Sequence, residues 1–224
     1  MRTVVVDIME FDKTPVVYFF DQQDLNNPVQ TIADLVANPS SFKQRPGGDY
    51  KAVLTWGQND RLLAYLRKGN YRLQNFGKGE NLDQLLAFSF GENPDVNMQL
   101  ATVVNQAMTG QPSLRIVVQW EIADILYERN PRCRSTVARV DLDSDKVYIT
   151  TGEVVEKAIQ SKAVLQDART CVVCQAWHAP RCVQTCRDHG LKVVRGEFID
   201  AFSPSDPQKW VRNWLAWVLK EGTK

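Results

Sequence analysis

Residues Thr170 to Val194, TCVVCQAWHAPRCVQTCRDHGLKVV, admit few folds. Thr170 to Trp177 is a short apolar run with β-branched and aromatic members, which fits a strand covered on both faces. Pro180 sits where a helix begins, because the N–H it lacks is not needed there. Val183, Cys186 and Leu191 face inward along that helix and its exit, and Gly190 suits a helix stop that needs a left-handed backbone. Leu191 to Val194 restarts an apolar run. Strand, turn, helix, strand is the βαβ unit of a parallel sheet. Its ligand edge lies where strands end and helices begin, here Trp177, His178, Ala179, Pro180 and Arg181.

The upstream pattern repeats this unit. Leu85 to Phe90 is a buried strand closed by Gly91-Glu92-Asn93-Pro94-Asp95, and Val96 to Met108 is a helix ended by Gly110. Leu114 to Trp120 is a second strand, and Glu121 opens a helix over Ile122 to Glu128. Val147 to Thr150 is read as a third strand, leading through Thr151-Gly152-Glu153 into a helix that ends near Leu165. Ser203-Pro204-Ser205-Asp206-Pro207 is read as the cap of a last amphipathic helix to Lys220, with Trp210, Trp214, Trp217 and Val218 at helical spacing. The expected fold is α/β: a Rossmann-like, doubly wound, mainly parallel sheet over residues 81–224.

Residues 1–80 read as an α+β extension that serves as a lid or a partner surface. Thr3 to Ile8 and Pro15 to Phe20 are expected as paired strands. Gln22 to Asn38 carries helix material, Ser40 to Asp49 reads as loop, and Tyr50 to Trp56 as a strand. Asp60 to Lys68 reads as a short helix capped by Asn59 or Asp60, and Tyr71 to Gly79 has no firm assignment.

Charge narrows the function classes. A formal net charge of +1 over 224 residues leaves no basic field for nucleic acid. No apolar run is long enough to span a bilayer, and Asp7 and Glu10 interrupt the N-terminal apolar run, so a soluble, cytoplasmic product is expected. Five cysteines suit reduced thiols better than a disulfide framework.

The strand ends resemble the SanA/ElyC/YdcF family of α/β proteins over roughly residues 83–200. The matching stretches are Phe88-Ser89-Phe90-Gly91, Val117-Val118-Gln119-Trp120-Glu121, Ile149-Thr150-Thr151-Gly152-Glu153 and, most specifically, Ala176-Trp177-His178-Ala179-Pro180-Arg181, whose helix closes at Gly190-Leu191-Lys192-Val193. The chain departs from the family at Gln119-Trp120, where the family has Ser-Gly-Gly, and at Val154 or Glu156, where it has Asn. The resemblance implies a small-molecule site at the carboxyl ends of the strands. It offers S-adenosylmethionine as a ligand, from a proposal for one member, and a lipid-carrier sugar role from another. The membrane anchor of several members has no counterpart here, so an envelope role is not carried over.

The candidate residues follow. Arg181 can fork onto a carboxylate or phosphate at the head of its helix, and His178 can move a proton near neutral pH. The plainer alternative pairs Arg181 with Glu121 or Asp188 and leaves His178 a satisfied turn residue. Glu121, at the end of an apolar strand, is a base or ligand contact, or else a first-turn acid favoured by the helix dipole. Thr151 and Glu153 are ligand contacts or, more simply, a cap. Gly91, Asn93, Trp120 and Trp177 complete the expected ligand-binding set, in which one glycine falls short of a dinucleotide fingerprint. Ser89 lies outside a G-x-S-x-G elbow, which argues against a serine hydrolase.

Cys171, Cys174, His178, Cys182 and Cys186 resemble part of a zinc motif. Cys171 and Cys174 lie three apart on a strand and so point to opposite faces, which makes a structural zinc the lesser reading. No cofactor is assigned. Trp210, Trp214 and Trp217 read as core, or as a homodimer face if exposed. Two functions are carried forward: an enzyme acting on a small anionic substrate with Glu121 and His178 as proton carriers, and a non-catalytic ligand-binding or partner module on the same fold.

Overall fold

The computed structural model describes residues 14–146 and 148–224. The chain divides into two compact units. The first comprises Met1–Gly69 and Val218–Lys224, and the second Asn70–Trp217.

In the first unit, β1 (Val16–Phe20) is followed by α1 (Gln22–Asn26), α2 (Pro28–Ala37), α3 (Pro39–Lys43), β2 (Tyr50–Leu54) and α4 (Trp56–Arg67). β1 and β2 pair antiparallel, from Val16 opposite Leu54 to Phe20 opposite Tyr50. The partner expected for β1, Thr3 to Ile8, lies outside the described residues. Two expectations are corrected here. The stretch read as loop from Ser40 opens inside α3, whose first residue is Pro39. The helix read from Asp60 begins four residues earlier, because Thr55 and Gln58 form a reciprocal capping box and Thr55 is the N-cap. Asn59 lies inside that helix, buried, where its Oδ1 accepts from the Tyr18 hydroxyl at 2.5 Å.

In the second unit, β3 (Gln84–Ala87), α5 (Pro94–Gly110), β4 (Arg115–Gln119), α6 (Trp120–Arg129), β5 (Val137–Val140), α7 (Thr151–Gln160), β6 (Arg169–Gln175), α8 (Ala179–Asp188) and β7 (Lys192–Ile199) alternate along the chain. α9 (Trp214–Gly222) follows and runs on into the first unit. The five strands form one sheet in the order β5-β4-β3-β6-β7, and every pair is parallel. This is the expected Rossmann-like doubly wound α/β architecture. Sequence order runs outward from β3 through β4 to β5, then resumes at β6 on the other side of β3. The β3/β6 boundary is therefore the topological switch point, where such sheets open a crevice for ligand.

All four residues of β3 are buried, as a central parallel strand requires. Alternate residues serve opposite layers. Leu86, Phe88, Val117, Val172 and Cys174 pack with Val154, Val155 and Ala158 of α7 and with Cys182, Val183 and Cys186 of α8. α5 and α6 pack together and meet β3, β4 and β6 from the other layer. Register is pinned at the amino edge by buried Gln84. Its Nε2 donates to Leu165 O at 2.7 Å and Thr170 Oγ1 at 2.8 Å, and its Oε1 accepts from Leu165 N at 2.8 Å.

The third strand is corrected. It is β5, Val137–Val140, which pairs from Ile116 opposite Val137 to Gln119 opposite Val140. Tyr148 to Thr150 is the approach to α7, and Thr150 is that helix's N-cap. Val137-Ala138-Arg139-Val140 is a four-residue edge strand, too short to stand out by apolar pattern alone. The unassigned Tyr71 to Gly79 stretch runs along the far edge. Phe76 and Gly196 exchange backbone hydrogen bonds at 3.1 and 3.2 Å, and Phe198 N donates to Asn75 Oδ1 at 2.7 Å, which covers the otherwise open β7.

Candidate functional site

Four helices open at the carboxyl edge of the sheet, and each begins differently. α5 is capped by Asn93, whose Oδ1 accepts from Asp95 N at 3.0 Å. The loop ahead of it turns at Gly91, φ +78°. A Cβ there would lie 2.3 Å from Asp206 Oδ2, so Gly91 is required by conformation and by space. Asp206 is fully buried and accepts from Asn93 N and from Gln208 N, both at 2.8 Å. The Ser203 to Pro207 stretch thus docks on the head of α5. It does not cap the last helix, which starts only at Trp214; Lys209–Val211 is a separate 3-10 turn. Buried Asn97 closes the same turn, accepting from Phe90 N at 2.9 Å and donating to Gly91 O at 3.1 Å.

α6 opens with Trp120, half-buried, and Glu121. The Glu121 carboxyl bonds its own backbone N–H and the Ser89 side chain, and Gln119 Nε2 lies 3.5 Å from its Oε1. Oε2 is buried with no hydrogen-bond partner among the described residues. Burial dominates over these bonds and pushes the carboxyl up to about 7, with Asp124 adding a smaller push. Gln119 Oε1 accepts from Ser89 N at 3.2 Å and so ties the ends of β3 and β4 together.

α7 opens with a full capping box. Thr150 Oγ1 accepts from Glu153 N at 3.2 Å, and Glu153 Oε2 accepts from Thr150 N at 2.7 Å. Lys146 Nζ reaches Glu153 Oε1 at 2.5 Å, and these bonds hold the Glu153 carboxyl down at about 2. Glu153 thereby caps α7, which is one of its two expected roles. Thr151, the first residue inside α7, is buried.

α8 opens at His178, whose side chain makes no cap hydrogen bond. The turn is held from below: Gln175 Oε1 accepts from Trp177 N at 2.6 Å and His178 N at 3.1 Å. This frees the imidazole to point elsewhere. It is 7% exposed and packs on Phe88, Phe90 and Trp217, with ring centroids 6.4, 6.0 and 5.2 Å away. His178 Nε2 lies 3.2 Å from Thr151 Oγ1 and 3.0 Å from Arg181 Nη2. A guanidinium only donates, so Nε2 faces Arg181 as an acceptor. The Arg181 guanidinium also sits 5.2 Å from the Trp217 ring centre.

The expected residues therefore fall into distinct groups. Thr151, His178 and Arg181 converge. Glu121 belongs to a second group with Ser89 and Gln119. Between them runs Phe88-Ser89-Phe90, whose aromatic rings meet His178 while Ser89 meets Glu121. Gly91 and Asn93 form a third group, around Asp206. Trp177 is packed on all sides: its Nε1 donates to Asp200 Oδ1 at 3.0 Å, and its ring stacks on Tyr71 and Trp214 at 5.8 and 5.7 Å. Among the described ion pairs, neither Glu121 nor Asp188 meets Arg181.

No protein-family model, no curated protein and no solved structure matches the chain.

Two residues of this edge escaped the sequence reading. Asp206 sits in a Ser/Pro/Asp cluster that satisfies a helix-cap pattern equally well. Gln119 drew notice only as a departure from the family's glycines. A buried polar residue ending an apolar strand is the signal that would have singled it out. Among the described residues, no group of three His, Cys, Asp or Glu side chains converges as a metal site, and all five cysteines are buried. Cys174, Cys182 and Cys186 belong to the core between the sheet and α7/α8. Burial pushes the Cys171 thiol up to about 12. Trp214 and Trp217 are 5% and 2% exposed and so lie in the core, whereas Trp210 is on the surface. No described helix is long and apolar enough to cross a membrane.

Proposed function

We propose that the second unit is an enzyme that binds a small anionic substrate at the carboxyl edge of the sheet. Arg181 and the head of α8 hold the anion, Thr151 and His178 orient it, and Glu121 and His178 exchange protons with it. The observation that carries this reading is the meeting of Thr151, His178 and Arg181, from two helix starts, beside the β3/β6 switch point.

A buried imidazole whose Nε2 faces a hydroxyl and a guanidinium is suited to orient a ligand, and it becomes a base when Arg181 turns to the substrate. Glu121, lifted to about 7, is suited to either direction of proton transfer at neutral pH. A carboxyl that is buried at a strand end and spends one oxygen without a partner costs the fold stability, which a reaction can repay. Substrate classes to be tried are nucleotides, carboxylates and, through the SanA/ElyC/YdcF resemblance, S-adenosylmethionine.

The non-catalytic alternative has one observation in its favour. Arg181 donates to the His178 Nε2 lone pair, which is the atom a base would use. Under that reading, ligand binds and nothing turns over.

A thermal-shift screen of the full chain against nucleotides, S-adenosylmethionine, sugar phosphates and small carboxylates separates these. A ligand that binds only the folded state raises the melting temperature. The expected outcome is a hit that disappears in His178→Ala/Arg181→Ala and persists in Glu121→Gln, with conversion of that ligand lost in Glu121→Gln. A hit untouched by the double substitution would place binding elsewhere. Conversion retained in Glu121→Gln would remove Glu121 from the chemistry.

A further inference from the structure

In a doubly wound sheet the turn after the first strand, at the head of the first crossover helix, is where backbone N–H groups close on a ligand's phosphate. In this chain that strand is β3, the turn is Phe90-Gly91-Glu92-Asn93, and the helix is α5. The turn is already occupied by an anion of the chain's own. Asp206 is 0% exposed, takes Asn93 N on Oδ2 and Gln208 N on Oδ1, and stands so close to Gly91 that only a glycine fits beneath it. Neighbouring bonds latch the segment that carries it. Asn93 Nδ2 donates to Ser205 Oγ at 3.0 Å, Gln208 Nε2 to Glu92 Oε1 at 3.1 Å, and Arg212 Nε to Asp206 O at 2.6 Å.

We infer that Asp206 is a built-in counter-ion that fills the phosphate position over β3 and thereby sets the substrate class. Ligands that need a diphosphate cradled on this turn, nucleoside diphosphates and dinucleotides among them, are excluded. The class that remains carries one compact anionic group, bound on the far side of β3 at the Thr151-His178-Arg181 group. The assignment of that class rests on the function proposed above; the role of Asp206 as resident anion stands on its own contacts. The physics is direct. A second anion on this turn would meet a buried carboxylate at contact distance, and it would have to displace two charge-assisted hydrogen bonds to enter. Removing the carboxylate leaves two N–H groups and a void of about the size of formate, which an added small anion can refill.

The test uses Asp206→Ala and Asp206→Asn in the full chain, with sodium formate and inorganic phosphate as probes against sodium chloride at matched ionic strength. Melting temperature and the backbone amide signals of Gly91 and Asn93 are followed. Wild type is expected to show no shift at these amides, and any anion-specific rise in its melting temperature belongs to the α8 turn and disappears in His178→Ala/Arg181→Ala. Asp206→Ala is expected to melt lower, to recover part of the loss in formate or phosphate but not chloride, and to show saturable shifts at Asn93. Asp206→Asn keeps the site filled, and its Gly91 and Asn93 amides are expected to ignore both probes. If Asp206→Ala does not fold alone, formate in the refolding buffer is expected to restore the native amide spectrum, and its failure to do so overturns the inference. Equal probe shifts in wild type and Asp206→Ala overturn it, as does a folded Asp206→Ala blind to both anions. Repeating the titration in a His178→Ala/Arg181→Ala background keeps the two proposals apart. The Asn93 response is expected to survive there even if no ligand is found for the α8 turn.

Discussion

Glu121 is the residue whose chemistry can be read most directly in solution. Its folded value of about 7 stands above the ordinary 4.5, so the folded chain holds this proton more tightly than the unfolded chain does. The stability tied to that proton is whole below pH 4.5 and is lost as pH rises through about 7, a loss on the order of 3 kcal/mol by linkage. Glu121→Gln cannot ionise. Its urea midpoint is expected to match wild type near pH 4.5 and to exceed it by a growing margin up to pH 8. Parallel pH curves for the two proteins would mean that the carboxyl is not held in a costly environment. Gly91 is the second residue-scale case. Gly91→Ala combines a positive φ with a Cβ in contact with the Asp206 carboxylate. It is expected to cost at least about 2 kcal/mol in chemical denaturation, more than a left-handed alanine costs by itself. The types and order of these residues are plain in the sequence; their partners are not. Glu121 follows an apolar strand and invites a functional reading, and so does Glu153 at the next helix start. Only the tertiary contacts distinguish the two acids: Lys146 and Thr150 engage Glu153, whereas Glu121 keeps a buried Oε2 with no described partner.

At the scale of elements, capping explains where helices begin better than apolar spacing does. Thr55 starts α4 ahead of any periodic apolar residue, and Thr150 starts α7 where the sequence suggested a strand. Thr150→Ala is expected to cost about 1 kcal/mol in urea unfolding, since Glu153 N loses the Thr150 Oγ1 acceptor while Thr150 N keeps the Glu153 carboxylate. A change below a few tenths would show that the box contributes little to α7. The strand–turn–helix–strand unit from β6 to β7 was the most legible part of the chain. Its exit is a Schellman turn, with Leu191 N donating to Cys186 O at 2.9 Å and Gly190 at φ +79°. Here local signals and tertiary demands coincide. β5 was the least legible, because four residues at a sheet edge need little apolar character and take their hydrogen bonds from β4.

At the scale of the whole molecule, all five thiols sit within packed layers, and burial raises Cys171 and Cys186 far above the reactive range. Native protein is expected to leave all five unlabelled by a disulfide reagent until denaturant unfolds it, and a chelator is expected to leave the melting temperature unchanged. One fast-reacting thiol, or a chelator-dependent drop, would reopen the zinc reading. What the sequence by itself determined is the alternation of strands and helices, the parallel sheet that follows from it, and the short set of polar residues at strand ends. These are local facts: apolar period, glycine stops and cap residues act over a few positions, so a linear string records them. What only the tertiary structure decided is which of those residues meet. Strand order places β3 beside β6, although 81 residues lie between their nearer ends. That neighbourhood, and not spacing along the chain, brings Thr151 to His178 and carries Asp206 across to Asn93, because the packing of the sheet chooses partners over distances at which sequence has no period to read.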